Sequence, residues 1–223
     1  MPSTDPAATP GRIRVVVVDD DRFVRLGIGE ILRGAGDIEV VGDAEDGDEA
    51  VEVARALRPD VVLIDIHMRR VDGLEATRRL RASDDPPGVV IMTALDVDDQ
   101  VARAIEAGAH SFLSKDEPPH TFHQSIRAVA TGNALFGVES IRELVRSGAA
   151  RTAGHGNDLA VLTDREREVL AAAATGASNA EIARALHLGE TTVKTHLSAV
   201  MTKLGVPNRV GAALVAFRAG LVS

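Results

Sequence analysis

Between residues 14 and 130, short runs of β-branched residues alternate with longer stretches in which apolar side chains recur every three or four positions. The runs are Val15–Val18, Ile38–Val41, Val61–Ile64, Val89–Met92 and Ser111–Leu113. Between them, sets such as Ala50, Val53, Ala54 and Leu57 fall on one face of a helix. Five strands alternating with five helices predict a parallel sheet covered on both sides. Val15-Val16-Val17-Val18 and Val61-Val62-Leu63-Ile64 are apolar at every position, as strands buried on both faces must be. In such sheets ligands bind beyond the carboxyl ends of the strands, so the residues just after each run are the candidates for chemistry.

The pattern changes after residue 157, where every segment has helical period. Thr163 with Glu166, and Ser178 with Glu181, have capping-box spacing and predict helix starts near Asp164 and Asn179. A third helix, Glu190 to Leu204, follows the turn Leu188-Gly189, and a fourth follows Pro207-Asn208, with Asn208 as N-cap. In the third, Val193, Leu197, Val200 and Leu204 must face a core, leaving Thr191, Lys194, Thr195, Ser198 and Thr202 outside. A small, polar, weakly basic outer face after a short capped helix suits a helix-turn-helix that enters the major groove. An amphipathic stretch, Glu139 to Arg146, is followed by the small residues of Ser147 to Asn157. The expected division is a disordered leader over 1–11, an α/β domain over 12–131, a linker with a short helix over 132–157, and an all-α four-helix domain over 158–223.

Composition narrows the chemistry. The chain has 223 residues and no Cys, which excludes disulfides, thiolate nucleophiles and Cys-ligated zinc. Its seven His show no paired spacing on one helix face, so any metal must sit on oxygen. No run of about 18 apolar residues and no signal-peptide pattern occurs, so a cytoplasmic protein without membrane contact is expected. From Asp158 onward seven Lys and Arg face six Asp and Glu, a balance of +1, so the rest carries −9 of the net −8. With no Trp and no Tyr, stacking platforms for single-stranded nucleic acid are missing, which favours double-stranded DNA.

Asp19, Asp20 and Asp21 end the first run, Asp65 ends the third, Thr93 ends the fourth, and Lys115 follows the fifth. Carboxylates brought together at one crevice repel unless a hard cation neutralises them, which implies an oxygen-ligated Mg²⁺. One carboxylate can then attack a phosphoryl group, while metal, ammonium and hydroxyl stabilise the charge on the transferring oxygens. These parts suffice for an acyl phosphate.

Val17-Val18-Asp19-Asp20, Leu63-Ile64-Asp65-Ile66-His67-Met68, Asp72-Gly73, Met92-Thr93-Ala94 and Phe112-Leu113-Ser114-Lys115-Asp116 resemble the receiver domains of bacterial two-component systems. The resemblance implies a flavodoxin-like fold with Asp65 as phosphoacceptor from a sensor histidine kinase. Mg²⁺ would be held by Asp20, Asp65 and the His67 backbone carbonyl, with Asp19 in support. Thr93 and Lys115 would hold the phosphoryl oxygens, and Phe112 takes the aromatic switch position beside Thr93. After Met68 the family commonly has Pro-Gly where this chain has Arg69-Arg70, which predicts a more mobile and more cationic loop. The stretches Leu162-Thr163-Asp164-Arg165-Glu166, Ser178-Asn179-Ala180-Glu181-Ile182-Ala183 and Thr192-Val193-Lys194-Thr195-His196-Leu197 closely resemble the LuxR-type DNA-binding domain. Together the two resemble the NarL/FixJ class of response regulators. That resemblance implies base contacts by Lys194, Thr195 and Ser198, while Thr192, His196 and Arg209 approach phosphates or brace the helix. Val210, Leu214 and Phe217 lie on the last helix, the family's dimerisation element, or are core. The expected protein is no enzyme in the ordinary sense. It is a transcription factor that assists its own phosphotransfer and dephosphorylation, binds promoter DNA, and is a homodimer when active. An aspartyl-phosphate phosphohydrolase is the rival, against which Asp65-Ile66-His67 lacks the second Asp of D-x-D. A second rival is an unphosphorylated regulator, against which Asp20, Asp65, Thr93 and Lys115 are all intact.

Overall fold

The computed structural model describes residues 11–94, 98–133 and 159–222. The leader up to Pro10, the amphipathic stretch Glu139 to Arg146 and the small-residue linker lie outside the described residues. The N-terminal half holds strands β1 (Ile13–Val18), β2 (Ile38–Ala44), β3 (Val61–Asp65), β4 (Gly88–Thr93) and β5 (Ser111–Ser114). Its helices are α1 (Arg22–Arg33), α2 (Gly47–Leu57), α3 (Gly73–Arg81), α4 (Asp98–Ala107) and α5 (Pro119–Ala130). All pairings are parallel, in the order β2-β1-β3-β4-β5. This is the flavodoxin-like doubly wound sheet, with its change of direction between β1 and β3.

The unbroken valines of β1 are explained by the two layers they fill. Val16 and Val18 pack with Ala50 and Ala54 of α2, Leu74 and Leu80 of α3, and Ala104 of α4. Val15 and Val17 point the other way, among Ile28 and Leu32 of α1 and Phe122, Ile126 and Val129 of α5. Each fully buried Leu, Ile or Val contributes about 1.5–3 kcal/mol relative to exposure, so the two layers hold the strand ends in fixed relation. Strand β2 runs three residues past the apolar run, through Gly42-Asp43-Ala44, with a register shift opposite Val15/Val16.

The C-terminal half has a 3-10 turn (Leu159–Val161), then α6 (Asp164–Ala174), α7 (Asn179–Leu186), α8 (Glu190–Leu204) and α9 (Arg209–Arg218). Both capping boxes are formed, with the Thr163 and Ser178 hydroxyls accepting from the Glu166 and Glu181 amides. The α7–α8 turn is made by His187 at φ 52°, while Gly189 has φ −81° and occupies the N-cap of α8. The left-handed residue, the C-cap of α7, thus comes just before the Leu188-Gly189 pair that marks the turn in the sequence. Val193 and Leu197 pack with Ile182 and Val169, and Val200 with Leu162 and Leu170. Val210 and Leu214 are buried, and Phe217 packs, partly buried, against the cluster that holds Leu170 and Val200.

The halves touch where α9 begins. Asn208 is 1% exposed, and its Oδ1 accepts from the Gly211 amide at 2.8 Å, capping α9. Its Nδ2 donates to the carbonyls of Ile105 (3.2 Å) and Ala109 (2.6 Å) at the end of α4.

Candidate functional site

Strands β1 and β3 are neighbours in the sheet, so the acidic turn after β1 meets the last residue of β3 at one rim. Asp19 is fully buried and Asp65 is 4% exposed, whereas Asp20 is partly open. Oxygens from the three carboxylates lie within 4.8 Å of one another. Asp21 faces away from this cluster in function, since its side chain caps α1 through the Phe23 amide at 2.8 Å. Arg25 steadies the turn by donating to the Asp19 carbonyl (2.7 Å) while pairing with Asp43 and Glu45.

Lys115 follows β5 and reaches across the rim. Its Nζ lies 2.7 Å from Asp19 Oδ2 and 3.0 Å from Asp65 Oδ1, and its own amide donates to the Thr93 carbonyl at 2.7 Å. Burial pushes the Asp65 carboxyl above its usual range, and Asp19 adds to this, while the Lys115 hydrogen bond opposes both. Burial alone would depress the Lys115 ammonium, but its bonds to Asp19 and Asp65 hold it above the ordinary lysine value. Three carboxylates and one ammonium leave a charge near −2, which a divalent cation on oxygen ligands balances. The residues present thus fit Mg²⁺.

Thr93, the buried last residue of β4, donates its hydroxyl to Gln100 Oε1 of α4 at 3.4 Å. The Gln100 amide nitrogen in turn lies 3.3 Å from His67 Nε2. His67 is exposed, and its backbone amide donates to Asp65 Oδ2 at 3.2 Å. Phe112 is partly buried on β5 against the layer that includes α4. Gly73 is required by close approach, because a Cβ there would sit 2.0 Å from the Asp65 carbonyl. The loop between Asp65 and Gly73 is tied down: buried Asp46 accepts the Arg70 and Val71 amides at 2.9 and 2.8 Å. The Arg70 guanidinium pairs with Asp48 at 3.1 Å and Glu49 at 2.6 Å. The extra cation expected from Arg69-Arg70 is present, but Arg70 serves to fasten the loop to α2.

On α8, Thr192, Lys194, Thr195 and Ser198 are exposed and His196 is partly covered. Lys203 is engaged in the domain, its Nζ 2.7 Å from Glu166 Oε2. Arg209, expected to approach phosphates or to brace the recognition helix, has its partners on α6, the turn before α7 and its first residue, and the end of the N-terminal half. It is 8% exposed and donates to the Ala177 carbonyl, to Asn179 Oδ1 (3.0 Å) and to Asn133 Oδ1 (3.3 Å). Burial lowers its guanidinium to about 10, still charged at neutral pH. Asn133 also accepts the Asn179 amide at 3.2 Å, so the end of the N-terminal half sits against the start of α7. The sequence pattern does not single out Arg25, Asp46 or Asn133, because none sits at a strand end or in a periodic set.

Residues 15–127 match the family described as response regulator receiver domain, and residues 160–216 match bacterial regulatory proteins, luxR family. Over 215 residues the chain is 37% identical to the transcriptional regulatory protein LiaR of Bacillus subtilis (strain 168), covering 95% of this chain and 100% of that one. It is 36% identical over 210 residues to the response regulator protein VraR of Staphylococcus aureus (strain Mu3), covering 94% and 99%. The crystal structure of the response regulator ChrA, of a heme-sensing two-component system, aligns with TM-score 0.52 at 36% identity over 95% of this chain and 100% of that one. Among the described residues no helix is long and apolar enough to cross a membrane. The chain belongs to the two-component response regulators of the NarL/FixJ class, in which a receiver domain is joined to a LuxR-type helix-turn-helix DNA-binding domain.

Proposed function

We propose that Asp65 accepts a phosphoryl group from a sensor histidine kinase and that this modification controls binding of α8 to double-stranded promoter DNA. The observation that carries the reading is Lys115 bridging Asp19 and Asp65 at the rim beyond the paired ends of β1 and β3. Asp19, Asp20, Asp65 and the His67 carbonyl would hold Mg²⁺, which would neutralise the carboxylates and the incoming phosphoryl oxygens. Asp65 supplies the nucleophilic oxygen. The Lys115 ammonium, already beside it, follows the transferring oxygens. The same residues assist the later hydrolysis of the acyl phosphate. Kinase docking is supported by Phe23 and Leu26, exposed by 82% and 57% on α1 next to the acidic turn.

A phosphoryl group adds about −1.5 to −2 charge and three strong acceptors. The Thr93 hydroxyl, now on Gln100, turns to the stronger acceptor and frees that amide. Gln100 lies on α4, whose terminal Ile105 carbonyl grips Asn208, so a shift of α4 and Phe112 reaches α9 through one helix. The released domain then presents Lys194, Thr195 and Ser198 to bases and Thr192 and His196 to phosphates, as a homodimer on paired half-sites.

The test is a duplex selected from random sequence by the phosphorylated full chain, then titrated with and without a small-molecule phosphodonor and Mg²⁺. Tighter binding with the donor is expected, and loss of that gain in Asp65→Asn. Equal affinity in both conditions removes the control claim.

A further inference from the structure

Arg69 and Arg70 stand where the receiver resemblance leads to Pro-Gly, and their surroundings differ. Arg70 is anchored on α2 through Asp48 and Glu49. Its backbone amide and that of Val71 are held by Asp46, which fixes the course of the loop past the rim. Arg69 keeps a side chain 84% exposed, and its Nε lies 3.4 Å from Asp20 Oδ2. Asp20 is the most open of the three clustered carboxylates. Lys115 offsets one of the three negative charges, at Asp19 and Asp65. Asp20 is thus the carboxylate left for a further cation, and Arg69 supplies one from within the chain. A proline at that position would carry no charge to the pocket.

Building on the rim as a Mg²⁺ site, we propose that Arg69 is a built-in competitor of the divalent cation. Its guanidinium pairs with Asp20 until metal takes that carboxylate, and it swings into solvent when metal does. Coulomb attraction scales with charge, so a dication displaces the guanidinium, and the exposed side chain gives up little packing on leaving. Arg69 therefore raises the Mg²⁺ concentration at which the receiver becomes ready to accept phosphate, without blocking the site.

Calorimetric titration of the full chain with Mg²⁺ alone tests this. Arg69→Gln is expected to bind Mg²⁺ roughly two- to fivefold more tightly than wild type, the range spanned by an exposed ion pair, with the gap narrowing as salt is raised. Arg33→Gln removes the same charge at the far end of α1, roughly 18 Å along that helix, and is expected to leave affinity unchanged. In nitrogen-edited NMR spectra the Arg69 Nε–H resonance should move in step with Mg²⁺ saturation. Equal affinity of Arg69→Gln and wild type, or an equal rise in both variants, overturns the competitor role while leaving the metal site standing. Absence of Mg²⁺ binding in all three chains would sink the metal site itself and the competitor with it.

Discussion

Glu166 has two duties in the DNA-binding half: it closes the capping box with Thr163 and accepts an ion pair from Lys203. The Lys203 hydrogen bond, then the Thr163 amide, hold its carboxyl at about 2, well below the ordinary 4.5. A carboxyl depressed in the folded state stabilises above its unfolded value and loses that contribution as pH falls toward its folded value. Glu166→Gln should therefore melt below wild type at pH 7, with the difference in Tm narrowing as pH drops from 4.5 toward 2. A difference independent of pH would assign the loss to packing. Gly73 gives a second residue-scale test, because its missing Cβ leaves room for the Asp65 carbonyl. Gly73→Ala should cost about 1–3 kcal/mol in urea unfolding and slow phosphoryl transfer to Asp65. Gly29→Ala on α1, with nothing within 4 Å, should instead be neutral or stabilise by up to about 1 kcal/mol. The residues of the rim were legible because Asp19, Asp65, Thr93 and Lys115 close off apolar runs, and strand ends in a parallel sheet converge. Arg25 and Asp46 were not, since Arg25 pairs with Asp43 and Glu45, 18 and 20 positions away, and Asp46 holds amides 24 and 25 positions away, separations that no periodicity connects.

At the scale of elements, α4 joins the two functional surfaces. It carries Gln100 at the carboxylate rim, beside Thr93, and the Ile105 carbonyl at the contact with Asn208. Asn208→Asp keeps an oxygen for the Gly211 amide but sets a carboxylate against two carbonyls, an uncompensated buried charge. This variant should keep α9 folded, loosen the domain contact, and bind duplex DNA more tightly than wild type before any phosphodonor is added. Unchanged small-angle scattering together with unchanged DNA affinity would show that the contact does not restrain the domain. The N-cap role of Asn208 could be read from Pro207-Asn208 and the helix that follows, because capping is local. Its second role could not, because the amide nitrogen finds carbonyls 99 and 103 positions away across the domain boundary. The same locality explains the α7–α8 turn. Leu188-Gly189 marked its place, but the left-handed residue is His187, a choice set by how α7 ends.

For the whole molecule, the uneven charge matches the division of labour. The receiver side carries −9 and a pocket for a cation, while the DNA-binding side is near +1 and has little non-specific affinity. One copy should bind DNA weakly, and the proposed homodimer would gain affinity by placing two copies on adjacent half-sites. Order and type of the two halves were legible from the change of period near residue 158, whereas their packing against each other rests on Asn133, Asn179, Asn208 and Arg209, polar residues without a pattern. The most direct measurement is intact mass spectrometry of the chain incubated with a small-molecule phosphodonor and Mg²⁺, wild type beside Asp65→Asn. The account predicts one added phosphoryl group on the wild type, lost on chelating the metal, and none on the variant. Modification of Asp65→Asn to the same extent, or no modification of the wild type, contradicts it.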